Sequence, residues 1–245
     1  PVSALEKNGS GFLVNGESFD AVVLSTDVVG ARKIMETSKG FPAEVTGSFS
    51  RLVPGQRYAV LRIWADLDLR KTIPDFVITD RVRVLDAVSA VHRIELEARE
   101  WAEKNAGSVI ELHCYAVPDE MSEEECRTAL LSELEDFFPE VKGLRIRFEH
   151  FQLKRDFTAF HTGHYAARPR SATGVAGFYA AGDWVKLPFP AMLMEAACAA
   201  GLLAANGILK ENGLRQTLVE SVPLRGLMAG MPQPPGRRIL YSQKS

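Results

Sequence analysis

Cysteine is scarce in this chain. It holds three, Cys114, Cys126 and Cys198, in 245 residues, far apart and odd in number. There is no Cys-x-x-Cys pair, so neither a disulfide framework nor a cysteine zinc site is expected, and a reducing compartment fits. An excess of charge of either sign is missing too. The net charge is −2, which gives no reason to expect a nucleic-acid partner. No apolar run near Pro1 looks like a secretory signal. The longest apolar stretch, Ala191 to Leu209, stops just short of the ~20 residues a membrane span needs. It also contains Glu195 and Asn206, so a buried globular helix is the expectation. A Gly-x-Ser-x-Gly nucleophile turn and a phosphate-binding P-loop are both absent. The five histidines do little to change this. His161 and His164 are spaced i, i+3, but Gly163 breaks the helix that would align them and no acid cluster completes a site, so no metal is expected.

What is present is ordinary globular material, 46% hydrophobic and 24% charged, enough for one or two domains. Residues 12–19 read as two short strands around an Asn15-Gly16 turn of type I′. Ala21 to Ser25 is a continuous apolar run, as in a strand covered on both faces. Asp27 is placed to cap a short helix reaching about Met35. Gly40 to Pro54, rich in Gly, Pro and Ser, marks a boundary. Beyond it the chain changes character. Strands are expected at 57–66, 76–79, 84–92, 108–117 and 144–153, the last with Leu144, Ile146 and Phe148 alternating against Arg145, Arg147 and Glu149. One helix stands out among them: Ser122 and Glu125 form a capping box, and it runs to about Phe138. This is the pattern of an α+β unit with a largely antiparallel sheet.

The most informative stretch is 179–205. A short apolar strand, Phe178 to Ala181, ends at Gly182-Asp183. A loop with Pro188 and Pro190 follows, then a long Ala-rich helix from Ala191. A strand end that delivers a glycine and a carboxylate beside a helix N-terminus is the layout of a ligand site. Glycine lets the protein backbone approach a phosphate or ribityl chain closely, where a side chain would block it. The carboxylate accepts hydrogen bonds from sugar or ribityl hydroxyls. Taken alone, Gly-Asp is also a common strand-ending turn. Glu195 is expected to be buried one turn into the helix, in a structural or an acid–base role. Trp184, Phe189, Met192 and Met194 would form a polarizable apolar cluster suited to a hydrocarbon, although core packing would look the same. Ala197, Gly201 and Ala205 recur every four positions and suit close packing against another element.

The run Gly-Asp-Trp-Val-Lys-Leu-Pro-Phe-Pro-Ala-Met-Leu-Met-Glu-Ala-Ala resembles the C-terminal flavin-contacting segment of FAD-dependent amine oxidases and carotenoid desaturases. It is most similar to the carotenoid-modifying, isorenieratene synthase type. Gly107 to Ala116 and Val222 to Leu227 are similar to segments of that type. The resemblance implies an α/β fold: the C-terminal part of a Rossmann-like FAD domain with an inserted α+β substrate domain. It divides the chain into a FAD-domain segment (1–40), a substrate domain (41–155), a returning FAD-domain segment (156–220) and an irregular tail (221–245). It implies FAD as cofactor, with Gly182, Asp183, Trp184, Pro190, Ala191 and Met192 contacting it and Phe189 and Met194 facing the substrate. The implied substrate is an apolar carotenoid, desaturated and aromatised at an end ring with a methyl shift, by a cytoplasmic enzyme in peripheral contact with a membrane. No side chain identifies itself as the catalytic base. Such flavoproteins carry a Gly-x-Gly-x-x-Gly turn for the pyrophosphate. It does not occur in these residues, and Gly9-Ser10-Gly11 is no substitute. A separate nucleotide-binding half is therefore an expected partner. Two other readings stay open: a different flavin oxidase acting on amines, and a non-catalytic fragment or subunit.

Overall fold

The computed structural model describes residues 1–221. Apart from Ser221, the expected tail, with Val222 to Leu227, lies outside the described residues. Contacts divide the chain into two units, one of Pro1–Gly55 with Asp156 onward, the other of Gln56–Arg155.

The first unit opens on a meander of β1 (Leu5–Asn8), β2 (Gly11–Val14) and β3 (Glu17–Phe19), paired antiparallel. Asn15 and Gly16 hold φ of 50° and 88°, as a type I′ turn demands. Next come β4 (Val22–Leu24) and α1 (Val28–Thr37). Asp27 caps α1, its Oδ1 accepting from the Val29 and Gly30 N–H groups at 2.8 Å each. α2 (Ala43–Ser50) lies where the sequence marked a boundary. Its Phe49 ring sits 6.1 Å from Phe178 and 5.7 Å from Trp184. Residues 41–55 therefore share the core of the first unit, and the division falls after Gly55 rather than after residue 40.

The second unit holds β5 (Arg57–Ala65), β6 (Phe76–Ile78), β7 (Ala87–Ala90), α3 (Leu96–Asn105), β8 (Ser108–Val117), α4 (Glu123–Phe137) and β9 (Ile146–Lys154). The sheet order is β6-β7-β8-β5-β9, every pair antiparallel. One face is closed by α4, whose Cys126, Leu130 and Leu134 join Leu61, Ile63, Ile110, Leu112 and Cys114 in one buried cluster. The capping box is present: the Ser122 side chain accepts from the Glu125 N–H, and the Glu125 carboxylate accepts from the Ser122 N–H. Ser122→Ala should therefore cost about 1 kcal/mol, read as a lower urea midpoint with an unchanged slope. The Glu133 carboxylate, buried on α4, accepts from the Arg83, Val84 and Leu85 N–H groups at 2.8 Å each. It ties the loop before β7 to the helix.

Two features depart from the sequence reading. α3 is highly charged, and its buried face is only Ala98 and Ala102, too narrow a stripe to read as amphipathic. On β9 the expected alternation does not hold. Trp64 pairs with Phe148 but Ala65 with Ile146, a bulge at Arg147. The extra residue moves Ile146 to the core face while Phe148 points away.

The chain then returns to the first unit through α5 (His164–Ala167), β10 (Phe178–Ala180) and α6 (Leu193–Glu211). β10 lies parallel to β4, Phe178 opposite Val22 and Ala180 opposite Leu24. Val23 is 39% exposed, so among the described residues β4 is not covered on both faces as its apolar run suggested. α6 buries Ala196, Ala199, Ala200 and Ala204. Ser171 Oγ donates to the Ala200 carbonyl. A Cβ at Gly207 would sit 2.1 Å from the Tyr179 ring, so glycine lets helix and strand touch. The rest of α6 is open: of its apolar window 22% is buried. The helix expected to be buried is thus covered on one side. Gly201, by contrast with Gly207, would meet no atom within 4 Å if given a Cβ. By length and composition α6 could cross a membrane, but its alanine face is committed to β10.

Candidate functional site

The site is built at the end of β10. Gly182 has φ of 149°, and a Cβ there would lie 2.5 Å from Trp184 Nε1. Only glycine lets the strand end fold beneath the indole. The Val185 N–H closes the turn onto the Gly182 carbonyl. The Trp184 ring is 1% exposed, and its Nε1 donates to the Thr26 carbonyl at 2.9 Å. β4 and β10 thus present adjacent ends, and Trp184 fastens one to the other.

Asp183 is half-buried. Its Oδ1 accepts from Thr158 Oγ1 at 2.7 Å, and its main-chain carbonyl accepts from Arg168 Nη1 at 3.1 Å. Among the described residues Oδ2 has no hydrogen-bond partner. Arg168 also donates to the Ala159 carbonyl at 2.8 Å and lies over the rings of Phe160 and Tyr165. Burial pulls its guanidinium below the usual arginine range, and Asp183 opposes that pull. An arginine so placed stays charged at neutral pH. Tyr165 Oη donates to the Leu187 carbonyl at 2.7 Å, and the Lys186 N–H to the Pro169 carbonyl. The turn is therefore clamped from the 158–169 segment on one side and from Thr26 on the other. Thr26, Thr158, Tyr165 and Arg168 escape sequence reading. They come from separate segments, and no spacing relates them to Gly182-Asp183.

α6 begins at Leu193, two residues after Ala191. Met192 precedes it with extended backbone and no side-chain cap, which leaves the first N–H groups without a side-chain acceptor. Leu193 has φ of 52°, a left-handed conformation costing roughly 1–2 kcal/mol for a residue with a Cβ. Pro190 is exposed and Ala191 half-buried. Glu195, expected to be buried, is exposed, because the open side of α6 carries it. Met192 and Met194 are 59% and 87% exposed, whereas Phe189 and Trp184 are buried. The four do not form a single cluster in this chain. No group of three or more metal-ligating side chains occurs among the described residues.

The family model described as flavin containing amine oxidoreductase covers residues 1–209. The chain belongs to this family. Its cofactor is accordingly FAD. Two curated relatives carry the name carotenoid phi-ring synthase. That of Chlorobaculum tepidum is 34% identical over 86% of this chain and 33% of its own length; that of Streptomyces griseus is 32% identical over 86% and 41%. The chain thus spans about a third to two-fifths of the curated relatives it matches. Among solved structures, cyclohexylamine oxidase from Brevibacterium oxydans aligns with TM-score 0.60 and 15% identity, over 87% of this chain and 48% of that one. Reduced UDP-galactopyranose mutase aligns with TM-score 0.61 and 9% identity, over 87% and 46%. At such identities the likeness is one of fold.

The residues fit one part of FAD better than the other. The Gly182 turn, the open Asp183 oxygen and the uncapped start of α6 suit hydroxyls and a carbonyl-bearing ring. A glycine-rich pyrophosphate cradle is absent from this sequence.

Proposed function

We propose that this chain supplies the flavin-facing and substrate-facing parts of a FAD-dependent oxidoreductase that desaturates and aromatises a carotenoid end ring, with a methyl shift. The observation that carries the reading is the similarity to two relatives named carotenoid phi-ring synthase, at 34% and 32% identity. The first unit is the flavin part. In it Asp183 takes the ribityl hydroxyls, Gly182 and Trp184 shape the strand end, and Pro190, Ala191 and Met192 bring the start of α6 to the ring. The second unit is the substrate domain. Phe189 and Met194 meet the substrate. FAD, when bound, accepts hydride. The protein binds and orients the polyene, excludes water and stabilises transient charge.

The nucleotide-binding half docks on the outward side of α6, along Cys198 and Leu202, next to the two-strand β4–β10 sheet. Parallel sheets of two strands need further strands and cover, and the open space at Gly201 suits a close helix approach. A hydrocarbon of this size partitions into bilayers, so a protein that acts on it meets it at a membrane surface.

The test uses the full-length polypeptide loaded with FAD. It is given β- or γ-carotene in liposomes, and products are read by mass and absorption. In parallel, primary amines and polyamines are screened for hydrogen peroxide release. Aromatised carotenoid is the expected result. Amine turnover with the carotenoids untouched would replace this reading by an amine oxidase. No turnover of either by a flavin-loaded protein would favour a non-catalytic subunit.

A further inference from the structure

In the second unit the core beneath α4 brings two sulfur atoms together. Cys114 comes from β8 and Cys126 from near the start of α4, and both are buried in the same cluster. The Cys126 thiol donates a hydrogen bond to the Cys114 sulfur. β8 carries an extra residue at this point: Arg57 pairs with Val117 but Ala59 with Cys114. Such a bulge frees a main-chain group from the ladder, and the Ala116 N–H donates to the Cys114 sulfur. Arg81 completes the surroundings. Its Nη2 lies 4.0 Å from Cys114 Sγ and also donates to the Ala116 carbonyl. Its Nη1 is held by the Asp86 carboxylate at 3.0 Å. Arg81 adopts a φ of 47°, a left-handed backbone unfavourable for a residue with a Cβ.

Cysteines that only fill a core behave as small hydrophobes and stay inert. They need no cation beside them. Here the two thiols are also treated unequally. The hydrogen bond from Cys126, the Ala116 N–H and the Arg81 cation pull the Cys114 thiol below the usual cysteine range, against burial and Asp86. The same hydrogen bond, with burial, pushes the Cys126 thiol above that range, against Arg57. One sulfur is thus disposed to be the thiolate and the other to stay a thiol, as in an attacking and a resolving cysteine. The Arg81 side chain is 34% exposed. On that side a single side chain stands between the Cys114 sulfur and solvent.

We propose that Cys114 and Cys126 form a peroxide-responsive pair, which hydrogen peroxide converts to a disulfide that fastens α4 to the sheet. The Cys114 thiolate attacks one peroxide oxygen. An S–O bond forms, the O–O bond breaks, and hydroxide leaves to take up the proton that Cys114 has lost. The Cys126 sulfur then attacks the sulfenic sulfur. The S–S bond forms, the S–O bond breaks, and the departing oxygen takes the Cys126 proton. Two thiols and one hydrogen peroxide give one disulfide and two waters; the sulfurs lose two electrons and the peroxide gains them. A dithiol reductant reverses the link by exchange. Every residue involved belongs to the second unit, and the chemistry does not depend on which substrate the protein acts on.

The test exposes the full-length, FAD-loaded protein to hydrogen peroxide under native conditions. The reaction is quenched with catalase, and the protein is alkylated in denaturant and digested for mass spectrometry. Peptides joined through Cys114 and Cys126 should accumulate, and dithiothreitol should separate them. In Cys126→Ala the reaction should stop at the sulfenic acid, so that dimedone labels Cys114. Arg81→Gln should slow linking at least tenfold, and Arg81→Lys, which keeps the cation, should slow it less. Circular dichroism reports whether each variant is folded. A folded wild type that yields no joined peptides, or joined peptides that arise only after urea has unfolded the protein, would overturn the proposal. So would a folded Arg81→Gln that links as fast as wild type. The first two outcomes are read on wild type alone, so they decide the matter even where a variant does not fold.

Discussion

Replacing Trp184 by alanine should destabilise the first unit by about 3–5 kcal/mol, the range for truncating a fully buried large aromatic. Three losses combine. The indole is among the largest fully buried side chains, so its removal leaves a cavity next to Phe49. The 5.7 Å edge contact with Phe49 disappears. The Thr26 carbonyl loses the donor that holds it at 2.9 Å. Trp184→Phe keeps much of the volume and loses the hydrogen bond, so it should cost nearer 1 kcal/mol. The measurement is urea unfolding followed by circular dichroism. A Trp184→Ala midpoint equal to wild type would show that the indole is not a core residue. Gly182 gives an internal check. A Cβ there collides with this same ring, so Gly182→Ala should do less further harm in the Trp184→Ala background than alone, a non-additivity expected of touching residues.

Local rules were legible in the sequence wherever a few neighbouring residues decide the outcome. The Asn15-Gly16 turn, the Asp27 cap and the Ser122–Glu125 box each depend on contacts within three residues, and each forms as read. The strand leading into Gly182-Asp183 is legible for the same reason. What the sequence hides is decided by partners distant along the chain. β4 reads as a doubly covered strand, but its second face has no cover within the described residues. α6 reads as a buried helix, but one side alone finds β10, and Glu195 consequently stands in solvent. The alternation on β9 is correct as a pattern and shifted in phase by one bulged residue, which no local propensity announces. α2 was hidden in a segment whose Gly, Pro and Ser content marked a boundary; Phe49, carried into the aromatic core, outweighs that composition.

The same distinction governs the site. Gly182 and Asp183 were visible because strand, turn and helix follow each other in the chain. The residues that fix the carboxylate were not, since Thr158 lies 25 positions away and Arg168 acts through main-chain carbonyls.

Asp183→Ala in the full-length enzyme should weaken FAD retention ten- to a hundredfold, since a hydrogen bond to a charged group is worth about 1.5–3 kcal/mol. The argument starts from the unequal treatment of its two oxygens. Thr158 holds Oδ1, Arg168 holds the main-chain carbonyl behind it, and Oδ2 has no partner among the described residues. The carboxylate is thus fixed in place with one acceptor to spare, so a ligand hydroxyl meets it without first ordering a side chain. The substitution has a second effect that must be separated from the first. Thr158 is buried, and the loss of its acceptor strands a hydroxyl, at a cost of roughly 1–3 kcal/mol in stability. Flavin content is therefore measured by visible absorbance after gel filtration, well below the melting temperature of the variant. Pairing Asp183→Ala with Thr158→Val removes the stranded hydroxyl. The double variant should regain stability and still lose flavin. If it regained flavin as well, the effect of Asp183 would be one of folding, and its place at the cofactor would have to be given up.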